Sequence, residues 1–127
     1  MGQYLIDNNV ISNFFSGAFS EQSMKFVSEV IDNVPNISVI TEIEALSWIN
    51  PDKGKEKVVK EFIHDANVLG LSADVVARCV AIRRSKKMKT PDAIIAATAI
   101  ANGLILVTGD AGFNNIQDLQ VIDPARL

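Results

Sequence analysis

The run TPDAIIAATAIANGLILVTGD, residues 90–110, decides how the rest of the chain is read. Thr90-Pro91-Asp92 is a helix start, with proline at the first helical position, where its missing N–H costs nothing. From Ala93 to Ala101 almost every residue is Ala, Ile or Thr, so this helix is apolar on every side and belongs inside the protein. Asn102-Gly103 stops it. Leu104-Ile105-Leu106-Val107 then reads as a strand with no polar face, as in a parallel sheet covered on both sides. Thr108-Gly109-Asp110 follows, placing an acid just beyond the strand's carboxyl end.

Outward from that run the same alternation repeats. Tyr4-Leu5-Ile6 is a short strand ending at Asp7, and Asn9 to Phe15 reads as one or two helical turns. Glu21 to Asn33 is a helix with Phe26, Val27, Val30 and Ile31 on one face. Asn36 to Ile40 reads as a second strand. Thr41 starts a helix that ends near Ile49, ahead of Asn50-Pro51. Lys55 to His64 is helical with Val58, Val59, Phe62 and Ile63 inward, Asn67-Val68-Leu69 is a third strand, and Ser72 caps the next helix. Leu119 to Ile122 adds a short fifth strand. Strand and helix in alternation predict an α/β fold, a three-layer α/β/α sandwich around a central parallel sheet of four to five strands. Its ligand site is expected beyond the carboxyl ends of the strands.

A length of 127 residues fits one domain, residues 1–127, with a real core. No low-complexity stretch or linker divides it. Cys79 is the single cysteine, so no internal disulfide or Cys-based zinc cluster is available, and its apolar helical setting reads as buried filler. The start, Met1-Gly2-Gln3-Tyr4, has no basic leader and no segment is long enough to span a membrane, so a cytoplasmic protein is expected. Phe14, Phe15, Phe19 and Trp48 read mostly as core, with some available for a partner. The net charge of −3 is unpromising for a nucleic-acid binder. Its distribution is not, because Arg78, Arg83, Arg84, Lys86, Lys87 and Lys89 fall in one acid-free stretch. The last five are candidates for phosphate contacts, against the plainer reading of a solvated helix face.

Asp7, Glu44, Asp92 and Asp110 can all converge on one edge of the sheet. Each has a structural explanation alone: Asp7 and Asp110 as turn residues, Asp92 at a positive helix end, and Glu44 in a Thr41-x-x-Glu44 capping box. Four together repel unless a cation joins them, and the natural choice for oxygen ligands is Mg2+ or Mn2+. Such a site activates water against a phosphodiester. Competing chemistries lack parts. His64 is the single histidine, and its place near a helix end suits a C-cap role; nucleophile-elbow and phosphate-loop glycine motifs are absent.

The segments Tyr4 to Ile11, Ile37 to Glu44, Thr90 to Ala99, and Leu106 to Asp110 with Phe113 resemble the four motifs of PIN domains, in order and across almost the whole chain. The resemblance is to VapC-type toxins of bacterial toxin–antitoxin pairs. It implies a PIN-like sandwich and a divalent-metal-dependent endoribonuclease that cuts RNA with metal-activated water. It also implies a cognate antitoxin filling the site, and a homodimer. Carried over, Asp7, Asp92 and Asp110 are catalytic metal ligands and Glu44 is the fourth acid, directly or through water; Glu42 is second choice. Asn9 is expected to orient Asp7, and Thr108 to orient Asp110. Asn8 stands where the family often has Thr or Ser, which tunes metal binding. Two other readings compete: a receiver-like signalling domain with an acidic metal pocket, and a catalytically silent PIN module. A receiver usually has paired acids after its first strand and a late Lys, and a haloacid-dehalogenase phosphatase needs Asp-x-Asp. Asp7-Asn8-Asn9 supplies neither acid pattern.

Overall fold

The computed structural model describes residues 3–127; the Met1-Gly2 part of the leader reading lies outside them. Five strands, β1 (Tyr4–Ile6), β2 (Asn36–Ser38), β3 (Asn67–Leu69), β4 (Ile105–Val107) and β5 (Val121–Ile122), form one sheet in the order β3-β2-β1-β4-β5. Every pairing is parallel. The strand order reverses between β1 and β4, where Ile6 pairs with Val107, and a crevice opens at such a reversal.

Six helices cover the sheet: α1 (Asn8–Ser16), α2 (Glu21–Asp32), α3 (Val39–Leu46), α4 (Lys53–Asp65), α5 (Ala73–Ser85) and α6 (Thr90–Ala101). Alternation along the strands sorts them into layers. Leu5 and Leu106 point into a core made with Val75, Cys79 and Ile82 of α5 and with Ala93, Ile95, Ala96, Ala97 and Ala99 of α6. Their neighbours Ile6 and Val107 point the other way, onto Val10, Ile11, Val27, Val30, Val59 and Ile63 of α1, α2 and α4. This is the expected three-layer sandwich. The small residues of α6 are buried almost throughout, so the helix lies close against both sheet and α5.

The sequence reading needs correction at several points. Val39 and Ile40 are helical, not strand. Ser38 ends β2 and caps α3 at once, its hydroxyl accepting from Thr41 N at 3.1 Å; a satisfied cap outweighs the β-preference of two branched residues. Thr41 is therefore inside the helix, and the Thr41–Glu44 capping box does not exist. Pro91 is the second helical residue, after Thr90, with Lys89 as cap. Leu104, Leu119 and Gln120 fall outside the strands. Val58 is 46% exposed rather than inward. Phe14 and Phe19 pack partly buried against the α1/α2/α4 core, whereas Phe15 and Trp48 are 38% and 41% exposed. His64 is exposed in the last turn of α4, which Ala66 closes. Cys79 is a free, buried thiol as expected, and among the described residues no helix is long and apolar enough to cross a membrane.

Candidate metal centre

The centre is built at the β1/β4 reversal. Asp7 is the first residue past β1, and its backbone N–H donates to the Val107 carbonyl at 3.0 Å, continuing the sheet ladder by one bond. It is 6% exposed. Its side chain caps α1, Oδ1 accepting from Asn8 N at 2.8 Å. Oδ2 accepts from the Thr108 hydroxyl at 2.8 Å and from Asn9 Nδ2 at 3.1 Å. Asp110 follows β4 and caps the short 3-10 turn Ala111–Phe113, Oδ1 accepting from Gly112 N at 2.8 Å. The turn and cap readings of Asp7 and Asp110 therefore hold alongside any chemical role. Asp92 stands in the first turn of α6. Glu44, released from the expected capping box, projects from the middle of α3.

The electrostatics join these positions into one group. Burial raises the Asp7 carboxyl above its ordinary range; bonds from Thr108 and Asn8 oppose that, and the charges of Asp92 and Asp110 add to it. Glu44 is exposed, yet partial withdrawal from water raises it too, helped by Asp7 and Asp92. Asp92 is raised by burial and by Asp110, with Lys89 pulling the other way. Asp7 and Asp92 thus lie in the field of Asp110, and Glu44 in the fields of Asp7 and Asp92. Glu42, the second choice, stands in the first turn of α3. Among the described residues no three His, Cys, Asp or Glu side chains are drawn together as a finished metal cage. The fit rests on donor chemistry: an all-oxygen set of neighbouring acids, with Lys89 opposing at Asp92, is what a hard divalent cation stabilises.

The basic stretch lies next to this edge. Lys86 Nζ donates to the Asn114 carbonyl at 2.8 Å, tying the α5–α6 connection to the turn that follows Asp110. Arg83 Nε donates to the Met88 carbonyl at 3.3 Å and braces the connection itself. Two of the five phosphate candidates are thus engaged in shaping the loop. Lys89 acts on Asp92 through charge, and Arg84 and Lys87 are exposed.

Exposed apolar residues make a second feature: of the aromatics that the sequence divides between core and partner, Phe15 and Trp48 are exposed, as is Val58, which the sequence places inward. They line a groove of about 530 Å3 between α1, α3 and α4, together with Ile11, Asn8 and Glu44. Asn8 and Glu44 belong to both groove and acid edge, so the two are continuous.

Known proteins share this fold. The PIN domain family model matches residues 4–119, and the chain belongs to the PIN domain family. It is similar to a chain of a toxin–antitoxin complex from Klebsiella pneumoniae, at 30% identity and TM-score 0.76, covering 95% of this chain and 97% of that one. A chain of FitAcB from Neisseria gonorrhoeae is 25% identical with TM-score 0.75, over 98% and 99% of the two chains. DNA-bound VapBC from Salmonella typhimurium shares the fold at 21% identity and TM-score 0.79, over 98% and 99%. No curated protein sequence matches. Of these, the Klebsiella pneumoniae chain is part of a toxin–antitoxin complex.

Proposed function

We propose that this chain is a divalent-cation-dependent endoribonuclease acting as the toxin of a toxin–antitoxin pair. The reading is carried by the placing of acids at the strand-order reversal, where Asp7 follows β1 and Asp110 follows β4, and where Asp7, Glu44 and Asp92 are each raised by burial and by a neighbouring acid. Asp7, Asp92 and Asp110 would hold Mg2+ or Mn2+, with Glu44 as the fourth acid. When bound, the ion supplies activation of water and neutralisation of phosphate charge. The protein's own part is to fix the carboxylates at the sheet edge and to bring substrate there. Lys86 bonds the turn after Asp110 and Lys89 acts on Asp92; with Arg83, Arg84 and Lys87 of the same stretch they suit the phosphates of an RNA strand.

The antitoxin is the second partner. The Klebsiella structure is a complex of such a pair, and the groove along Phe15, Trp48 and Val58 suits an apolar segment of it. Glu44 in the groove wall calls for a cation from that segment, so one bound chain would cover groove and acids together. The homodimer implied by the resemblance would be read as twice the chain's mass in light scattering.

The experiment is a transcriptome-wide map of new RNA 5′ ends after induction of wild type and of Asp7→Ala. Sharp ends at one or a few sites, absent with Asp7→Ala, are expected. Identical maps from soluble, folded proteins in a host that carries the pair would overturn the nuclease reading in favour of a silent binding module.

A further inference from the structure

The seam between β1 and β4 is closed by side chains beyond its last backbone bonds. Thr108 is 1% exposed, and its backbone N–H donates to the Ile122 carbonyl at 3.0 Å, so β5 fixes its place. A hydroxyl has one proton and two lone pairs. The proton goes to Asp7 Oδ2 at 2.8 Å. The lone pairs accept from Asn9 Nδ2 at 3.1 Å and from the backbone N of Asp110 at 3.1 Å. Nothing is left over, so the hydroxyl has no alternative orientation of equal bonding. Asn9 ties the same atoms together: its Nδ2 donates to both Asp7 Oδ2 and Thr108 Oγ1, and its Oδ1 accepts from Gly109 N at 3.3 Å.

We propose that Thr108 is the positioning residue that holds Asp7 and Asp110 in register with each other, and that Asn9 locks it across the seam. The sequence reading gave Thr108 to Asp110 and Asn9 to Asp7; the geometry makes one hydroxyl serve both acids. It also distinguishes the two oxygens of Asp7. Oδ2 accepts two bonds and Oδ1 one, so Oδ1 keeps the spare lone pair and is the oxygen available to a cation. Without the Thr108 hydroxyl, Oδ2 loses its shortest bond, the carboxylate gains freedom to rotate, and the Asp110 N–H loses its acceptor.

The inference rests on the metal reading above, and Mn2+ titration followed by paramagnetic resonance tests it without any RNA. Thr108→Val keeps the shape and removes the hydroxyl, Thr108→Ser keeps the hydroxyl, and Asn9→Ala removes the lock at a less buried position. Positioning groups behind metal ligands typically contribute 10–100-fold in affinity. Thr108→Val and Asn9→Ala are expected to bind Mn2+ about 10–100-fold more weakly, with Thr108→Ser close to wild type. Wild-type affinity in Thr108→Val, or in Asn9→Ala should the valine variant fail to fold, overturns the proposal. So does an equal loss in Thr108→Ser, which would assign the effect to the methyl group. A wild-type protein that binds no Mn2+ refutes the metal reading and this inference with it.

Discussion

Two polar networks cross the buried sheet, and they differ in one respect. In β2 and β3 the Asn67 amide donates to Asn36 Oδ1 at 2.8 Å, and the Asn36 amide donates to the Tyr4 carbonyl at 3.0 Å. At the carboxyl end of β1 and β4, Asp7, Asn9 and Thr108 form a similarly dense set. The first network is neutral. The second encloses a carboxylate whose proton affinity is raised by burial and by neighbouring acids. A neutral, satisfied network holds strands together and asks for nothing more. A charged one, ringed by like charge, is stable but stores repulsion that only a proton or a cation relieves. That contrast separates a structural device from a reactive one.

The hardest test of the contrast is Asp92→Asn. It converts one acid of the coupled set into an amide like those of Asn36 and Asn67. RNA cleavage is expected to fall at least about 1000-fold, the several kcal/mol a bound metal supplies, while circular dichroism shows an unchanged fold. Cleavage within tenfold of wild type would mean that the charged network is as structural as the neutral one.

Cation linkage sharpens it next. The sign follows from Asp7. Its folded pKa lies above the ordinary 3.8, so the folded chain binds the proton more tightly than the unfolded one. The metal-free fold therefore loses stability as pH rises from about the ordinary value through the raised one, and bears the full cost above it. Mn2+ at about 100 times its dissociation constant adds ~2.7 kcal/mol at pH 7.5, a rise of roughly 10 °C in Tm. The rise should fade as acid protonates Asp7, Glu44 and Asp92. A Tm indifferent to Mn2+ at pH 7.5 would break the comparison.

How far the sequence anticipated these regions follows the same division. The acids were legible because each stands just past a strand or in the first turns of a helix, and a parallel sheet gathers such positions at one edge. Thr108 and Asn9 were suspected singly. Their shared bonds were not, because 99 residues separate them and the register Ile6 to Val107 exists only in the folded sheet. Glu44 carries the wrong local alternative in the sequence, since Val39-Ile40 looks like strand until Ser38 is seen to cap. The groove was illegible: Phe15, Trp48 and Val58 have the hydropathy of core residues, and only packing shows that none of the described elements covers them.

The neutral network gives the next effect in size. Asn36 is 3% exposed, and Asn36→Ala leaves the Tyr4 carbonyl and an Asn67 amide hydrogen without these partners. Stability measured by urea unfolding should fall by about 1–3 kcal/mol. Mn2+ affinity per folded molecule should hold at wild-type strength, because no acid of the coupled set touches this pair. A loss of Mn2+ affinity without a loss of stability would reverse the roles assigned to the two networks.

The smallest effect probes repulsion alone. Asp110 raises the proton affinity of both Asp7 and Asp92, and its own structural bond is a cap to Gly112 N through Oδ1. Asp110→Asn keeps an acceptor for that cap and removes the charge. The metal-free protein should then gain about 0.5–1 kcal/mol at pH 7.5, the scale seen when a functional site gives up its built-in cost. The gain has to shrink in acid, where protonation of Asp7 and Asp92 already removes the repulsion in wild type. It should also come with weaker Mn2+ binding, because the charge that destabilises the free fold is the same charge that holds the ion. A variant no more stable than wild type at pH 7.5 would show that burial, the largest cause at Asp7 and Asp92, accounts for their raised proton affinity without help from Asp110.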